Sequence, residues 1–296
     1  MKPILFKPVP SPYLVPWTRR FRIARAPTAP PRDAPSKEQL EKRLERAVAR
    51  MAKGQAKLLA DNRYSLLLVF QAMDAAGKDG TIRAVTTGLN PTGCQVFSFK
   101  APSEEVLDHD FLWRVVHDLP ERGRIGVFNR SHYEEVLVVR VHPAFLSAQR
   151  LPRGRADAGL WRERYESIRD LELHLARNGT VLLKFFLHVS KAEQKERFLD
   201  RIDHPEANWK FSARDVTERQ HWSRYMQAYE DALAATSRPW APWYAIPADR
   251  KAFMRACVAE IVADTMERLP LQFPRASREE QTRMRELRTA LAKGRL

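Results

Sequence analysis

Four apolar runs of strand length, each followed by a segment of helical character, constrain this chain more than any other feature of it. They read SLLLVFQ (65–71), CQVFSF (94–99), RIGVFN (124–129) and TVLLKFFLHV (180–189), and a shorter fifth lies near WYAIP (243–247). Runs that are apolar throughout, with helical segments between them, predict a buried parallel sheet with helices on both faces. Ser36 and Gln39 form a capping-box start for a charged amphipathic helix reaching about Asp61. Ser103 opens a helix expected to run through Trp113 and Val116, a helical pattern covers about 160–177, and Ser190 with Glu193 caps the helix after the fourth strand. The arginine-rich stretch 197–224 reads as a helix–loop–helix inserted before the last strand, and a helix over 249–268 closes the domain.

The ends differ from the middle. Residues 1–35 hold nine of the 20 prolines and the basic cluster Arg19, Arg20, Arg22 and Arg25. Such a segment builds neither helix nor central strand, so it reads as an extended arm ordered where Tyr13, Trp17 and Phe21 find a surface. The tail over 275–296 is charged, helical in propensity and peripheral. The expected division is therefore an arm (1–35), one α/β domain with its helical insertion at about 197–224 (36–270), and a basic helical tail (271–296). No apolar run approaches the ~18 residues that span a bilayer, and the proline-broken N-terminus does not suit a signal peptide, so a cytoplasmic protein away from membranes is expected. Two cysteines, Cys94 and Cys257, exclude a disulfide framework and a four-cysteine zinc site.

Charge points to the partner. Lysine and arginine total 51 against 36 acids, a formal +15. The candidates are nucleic acid, acidic lipid or a phosphate compound. The loop after the first strand narrows them: Ala72-Met73-Asp74-Ala75-Ala76-Gly77-Lys78-Asp79-Gly80. It approximates the phosphate-binding pattern G-x-x-x-x-G-K-[ST] between a buried strand and a helix. Small residues let backbone N–H groups curl around an anion, and Lys78 would set its ammonium on a phosphate. Ala72 replaces the first glycine, and Asp79 replaces the hydroxyl residue that normally holds Mg²⁺. Asp74 is the substitute ligand within the loop. The third strand ends in Asn129-Arg130-Ser131. There Asn129 can orient a metal-bound water, and Arg130 points to the edge where α/β sheets bind ligands and can neutralise charge on a phosphoryl group. Further on, Arg197 and Arg201 share one helix face and Lys210 follows after a polar loop, which suits a segment that closes over phosphates. The eight histidines have no H-E-x-x-H spacing, and no G-x-S-x-G elbow exists. On these residues alone an ATP-using kinase of small metabolites and a nucleic-acid-binding protein stay open. The missing Ser/Thr at position 79 speaks against the first, and the lack of an RRM-type strand motif or helix-turn-helix cue against the second.

FQAMDAAGKDGTIRAV (70–85), IGVFNRSHYEEVLVVRVH (125–142) and FLDRIDHPEANWKFSARD (198–215) together resemble the family-2 polyphosphate kinases, over about residues 40–265. The resemblance implies a thymidylate-kinase-like P-loop α/β fold with a helical lid, Mg²⁺ (or Mn²⁺) dependence, and inorganic polyphosphate as donor. In that family the first loop glycine can be alanine and the loop aspartate serves the metal. The resemblance gives Asp74 and Asn129 to the metal. Ala75, Ala76, Gly77, Lys78, Asp79 and Gly80 would cradle phosphate, Arg130 and Arg201 would stabilise the transition state, and Arg83, Lys100 and Lys210 would contact polyphosphate. Asn129 in place of aspartate, with Arg130 and Glu134 near the acceptor, looks like the branch that phosphorylates both nucleoside mono- and diphosphates, carrying AMP through ADP to ATP. It also implies a homo-oligomer, dimer or tetramer, and no nucleic-acid partner.

Overall fold

The unbroken apolar runs become the strands of one five-stranded parallel sheet in the computed structural model. It describes residues 6–18, 21–152 and 157–295, apart from the side chains of Ala207 and Lys210. In chain order the main elements are α1 (Lys37–Asp61), β1 (Ser65–Ala72), α2 (Lys78–Thr86), β2 (Cys94–Ser98), α3 (Glu104–Leu107), α4 (Trp113–His117), β3 (Ile125–Asn129) and α5 (Val138–Val141). There follow α6 (Ala158–Arg177), β4 (Thr180–His188), α7 (Lys191–Asp203), α8 (Ala213–Glu218), α9 (Trp222–Thr236), β5 (Trp243–Pro247), α10 (Lys251–Arg268) and α11 (Arg278–Ala292). The strand order is β2-β3-β1-β4-β5, every pair parallel. β1 is buried at every position and β4 at every position but Thr180, as their lack of alternation requires.

Two helical layers cover the sheet. α1, α2 and α10 pack together on one side, and α6 and α9 on the other. α1 is fixed along α10 by Arg43 on Glu260, at 2.6 Å, and by Arg50 on Asp264 and Glu267. The Ser36–Gln39 capping box forms. Register decides where chemistry can occur. Phe70 pairs with Asn129, so β1 and β3 deliver the loop after Ala72 and the residue Arg130 side by side at the carboxyl edge, where the strand order reverses.

Several expectations need correction. The helix expected from Ser103 through Val116 is broken into α3 and α4. Asp110 accepts the Leu112 amide at 2.9 Å, a local side-chain bond that competes with helix continuation. At Ser190 half a capping box forms. Its hydroxyl accepts from the Glu193 amide, but its own amide donates to Asp249, because Glu193 is taken by Arg197. The arm does not rest on Trp17, which is 40% exposed; Val9, Val15 and Ile23 are the buried anchors, with Tyr13 and Phe21 packed on the core. Arg19 and Arg20 lie outside the described residues. The Val15 amide donates to Trp243 and the Ala245 amide to Tyr13, so the arm covers the β5 edge. α11 has no buried residue.

One ionic group sits in the middle of the sheet. Lys184 on β4 is fully buried, donating to Glu172 at 2.6 Å, to the Tyr133 hydroxyl at 2.9 Å and to the Thr236 carbonyl at 3.0 Å, while Tyr133 donates to Glu172 at 2.7 Å. Tyr133 immediately precedes Glu134, so this network anchors the chain that follows Arg130. Lys184→Met leaves Glu172 buried without its cation and should lower the unfolding free energy by about 3–5 kcal/mol in urea denaturation. Removing both charges in K184M/E172L should recover most of that loss.

Candidate active site

The loop between β1 and α2 turns through two left-handed residues, Ala75 at φ +60° and Gly77 at φ +101°. Gly77 caps α2, and a Cβ there would meet the Met254 methyl at 3.3 Å. What holds the loop is the satisfaction of its carbonyls from outside. Lys78 Nζ donates to the Ala72 carbonyl at 2.9 Å, and Gln194 to that of Asp74 at 2.8 Å. Arg197 donates to Ala75 at 3.1 Å and Ala76 at 2.7 Å, and Thr81 bonds Gly77 through both its amide and its hydroxyl. By contrast, the amides of Ala75, Gly77, Lys78 and Asp79 have no backbone acceptor among the described residues. Carbonyls turned back and N–H groups left open at a helix N-terminus make an anion cradle.

Arg197 is buried and also donates to the Ala248 carbonyl after β5 at 2.6 Å, with Nε on Glu193 at 2.8 Å. The helix-face spacing grouped it with Arg201 as a phosphate-closing arginine. It is a clamp on the loop instead, and its guanidinium is committed to protein groups.

Arg130 stands opposite, at φ +63°, its amide donating to the Phe70 carbonyl. A non-glycine residue held in this region needs surroundings that over-determine it. Its guanidinium meets Asp74 at 2.9 Å and Glu134 at 3.5 Å. Glu134 and Asp74 keep it firmly charged. Glu134 is itself fixed by Gln71, whose amide, oriented to match its neighbours, donates to Glu134 at 2.8 Å and accepts from Ser131 at 3.1 Å. Burial pushes the Glu134 carboxyl up, against the pull of Arg130 and Lys78. Burial and then the Arg130 charge push the Lys78 ammonium down. Lys78, Arg130, Asp74, Glu134 and Asp79 thus act on one another across a single cleft.

Asn129 donates to Asp79 at 2.6 Å and reaches Ser98 at 3.4 Å. Asp79 therefore offers an anion its amide but not its side chain; the carboxylate belongs with Asp74 as a hard-oxygen donor. Among the described residues no cluster of three or more His, Cys, Asp or Glu side chains forms a metal cage. The donor set instead suits a cation held by one or two carboxylates and completed by phosphate oxygens and water.

Arg201 lies in the last turn of α7, 4.0 Å from Asp215 and over the Phe198 ring. Burial and the charge of Asp74 push the Asp215 carboxyl up, so α8 reaches the field of the loop. Arg83 is exposed on α2 beside Arg255 of α10. The Arg255 guanidinium approaches Gly80 closely enough that a Cβ there would lie 3.0 Å from Nη2, and its buried Nε has no hydrogen-bond partner among the described residues. Lys100 is exposed beyond β2, its carbonyl accepting from Arg114, and no described bond brings its side chain to the loop. The Lys210 side chain lies outside the described residues. Gln194, Asp215 and Arg255 were not singled out from sequence; Gln194 and Arg255 lie outside the three motifs, and Asp215, the last residue of the third one, carries no spacing that ties it to the loop.

Comparison with known proteins places this geometry in context. A model of the family described as "Polyphosphate kinase 2" matches residues 34–273. An ADP-polyphosphate phosphotransferase of Rhodopseudomonas palustris is 55% identical over 259 residues, covering 87% of this chain and 90% of that one. An AMP/ADP-polyphosphate phosphotransferase of Meiothermus ruber is 46% identical over 225 residues, covering 76% and 80%. The crystal structure of Polyphosphate Kinase 2 from Arthrobacter aurescens TC1 superimposes with a TM-score of 0.82 at 37% identity, covering 90% of this chain and 93% of that one.

Arg197→Met leaves three backbone carbonyls without their donor. It should lower the unfolding free energy by about 3 kcal/mol or more, measured by chemical denaturation.

Proposed function

Because this chain belongs to the polyphosphate kinase 2 family, we infer that it transfers the terminal phosphate of inorganic polyphosphate to nucleotides, taking AMP to ADP and ADP to ATP. The observation that carries this reading is the single cleft in which the open amides of the loop, Lys78, Asp74 and Arg130 converge. The name of the Meiothermus ruber relative includes both acceptors, and Asn129 with Glu134 favours the same breadth.

An oxygen of the acceptor's terminal phosphate attacks the terminal phosphorus of the chain, and the phosphoanhydride bond behind that phosphorus breaks. The shortened chain leaves with the bond electrons. The attacking oxygen is already anionic, so no general base is needed, which fits a cleft without histidine. The loop amides and Lys78 hold the transferred phosphate, and Arg130 neutralises charge on it. Glu134 acts through Arg130, keeping its guanidinium aimed, and so serves the acceptor indirectly. Arg201 with Asp215 belongs to the segment that closes and excludes water. Both bonds exchanged are phosphoanhydrides, so the transfer is reversible. Asp74, Asp79 and Asn129 would hold Mg²⁺, with Mn²⁺ as substitute. When bound, such an ion neutralises phosphate oxygens.

Arg83 and Arg255 offer cations to the rest of the donor chain, with Lys100 and Lys210 as outer contacts. Arg255 supports this best, because its guanidinium lies against Gly80 of the loop helix and its Nε has no partner among the described residues. In this reading the +15 balance serves polyphosphate and not nucleic acid. The family resemblance favours a dimer or tetramer. No helix among the described residues is long and apolar enough to cross a membrane.

Purified protein given long-chain polyphosphate, Mg²⁺ and AMP should yield ADP and then ATP by chromatography. Chelation of the divalent cation should stop the reaction, and adding Mg²⁺ should restore it. Asp74→Asn and Lys78→Ala should each lose about 10³-fold in turnover, far more than the loss of about 1–3 kcal/mol in stability expected where Lys78→Ala frees the Ala72 carbonyl. Wild-type turnover in both variants would contradict the assigned site.

A further inference from the structure

Tyr229 on α9 lies on the side of the sheet opposite α2 and α10, with a hydroxyl that the described residues leave without a bond. The residue is 3% exposed, and its ring lies 4.4 Å from that of Phe186 on β4. Phe186 pairs in register with Gln71 on β1, and the Gln71 amide bonds Glu134. Tyr229 therefore sits over the row of the sheet that leads to the Glu134–Arg130 pair. One turn earlier on α9, Tyr225 donates its hydroxyl to Glu218 at 2.8 Å. The Tyr229 hydroxyl has no such partner: no hydrogen bond to it is made by the described residues, and the charges that bear on it are those of Glu134, Arg130 and Asp74.

The Tyr229 hydroxyl is not one of the polar atoms sealed from solvent without a partner, so an incoming group can reach it, and phenylalanine would fill the same space against Phe186 without offering a donor. Burial drives the Tyr229 pKa far above its ordinary value, so the group keeps its proton and has it to donate to an anionic group. The donor chain is accounted for by the loop amides, Lys78 and the cations of α2 and α10. Tyr229 enters from the other layer, beside Arg130. We propose that the Tyr229 hydroxyl donates a hydrogen bond to a phosphate oxygen of the acceptor nucleotide where that phosphate meets Arg130. The inference rests on the transfer activity set out above and adds to it a residue that fixes the acceptor.

The test compares wild type, Y229F and Y229L with AMP and polyphosphate varied separately. Both variants lack the hydroxyl, but only Y229L also loses the ring contact with Phe186. Each should lose about 10- to 100-fold in kcat/KM for AMP, the range for a hydrogen bond to a charged group, with the KM for polyphosphate within about twofold of wild type. Only Y229L should unfold at lower denaturant. A defect confined to Y229L, a Y229F enzyme within twofold of wild type, or a defect in the KM for polyphosphate instead of AMP would each overturn the inference. A wild-type protein that makes no product would defeat the underlying activity, and a turning-over wild type matched by Y229F defeats this inference alone.

Discussion

The guanidinium of Arg197 donates to three backbone carbonyls, two in the loop after β1 and one at Ala248 after β5. A loop that curls around an anion must turn its N–H groups one way and its carbonyls the other, and in a buried setting those carbonyls need donors. Lys78, Gln194, Arg197 and Thr81 supply them. The geometry of the cradle therefore depends on α7, an element more than a hundred residues further along the chain, and on the β4–β5 edge that positions it. Because the same arginine ties β5 to the loop, the cradle is part of the sheet's own packing.

Across the cleft the logic is electrostatic. Arg130 is held in a left-handed conformation between Asp74 and Glu134, and behind Glu134 lies the buried Lys184–Glu172–Tyr133 network. Two carboxylates fix the arginine without neutralising the whole site, since Lys78 and the α10 cations remain. A site of this kind stabilises charge by position and needs no proton shuttle. The two helical layers put different groups on the two sides of the site, cations of α2 and α10 on one and Tyr229 of α9 on the other.

Much of this was legible in the sequence because the signals are local. Apolar runs without alternation read as buried parallel strands, and Gly77-Lys78 after β1 read as a phosphate loop with the strand and helix where they belong. Asp74 and Arg130 were legible for the same reason: each follows the end of a strand. The rest was hidden by distance in the chain. Arg197 and Arg201 share a helix face, but nothing in their spacing tells that one reaches the loop carbonyls while the other stays with Asp215 on α8. Asp79 has a phosphate position by motif, and its open amide fits it, while its carboxylate takes the Asn129 amide, a role that no motif position shows. Tyr229 sits among aromatic and small residues that read simply as core. The break at Asp110 was missed because a side chain competing for a backbone amide outweighed the apolar spacing through Trp113.

The most direct measurement is calorimetric binding of inorganic triphosphate, a short linear donor, to wild type and Arg197→Lys. Lysine keeps the charge but cannot bridge three carbonyls in a planar fork. The account predicts affinity about 10-fold weaker or worse in a variant that still folds, although Arg197 is committed to protein groups and does not contact the ligand. Wild-type affinity in R197K would contradict it.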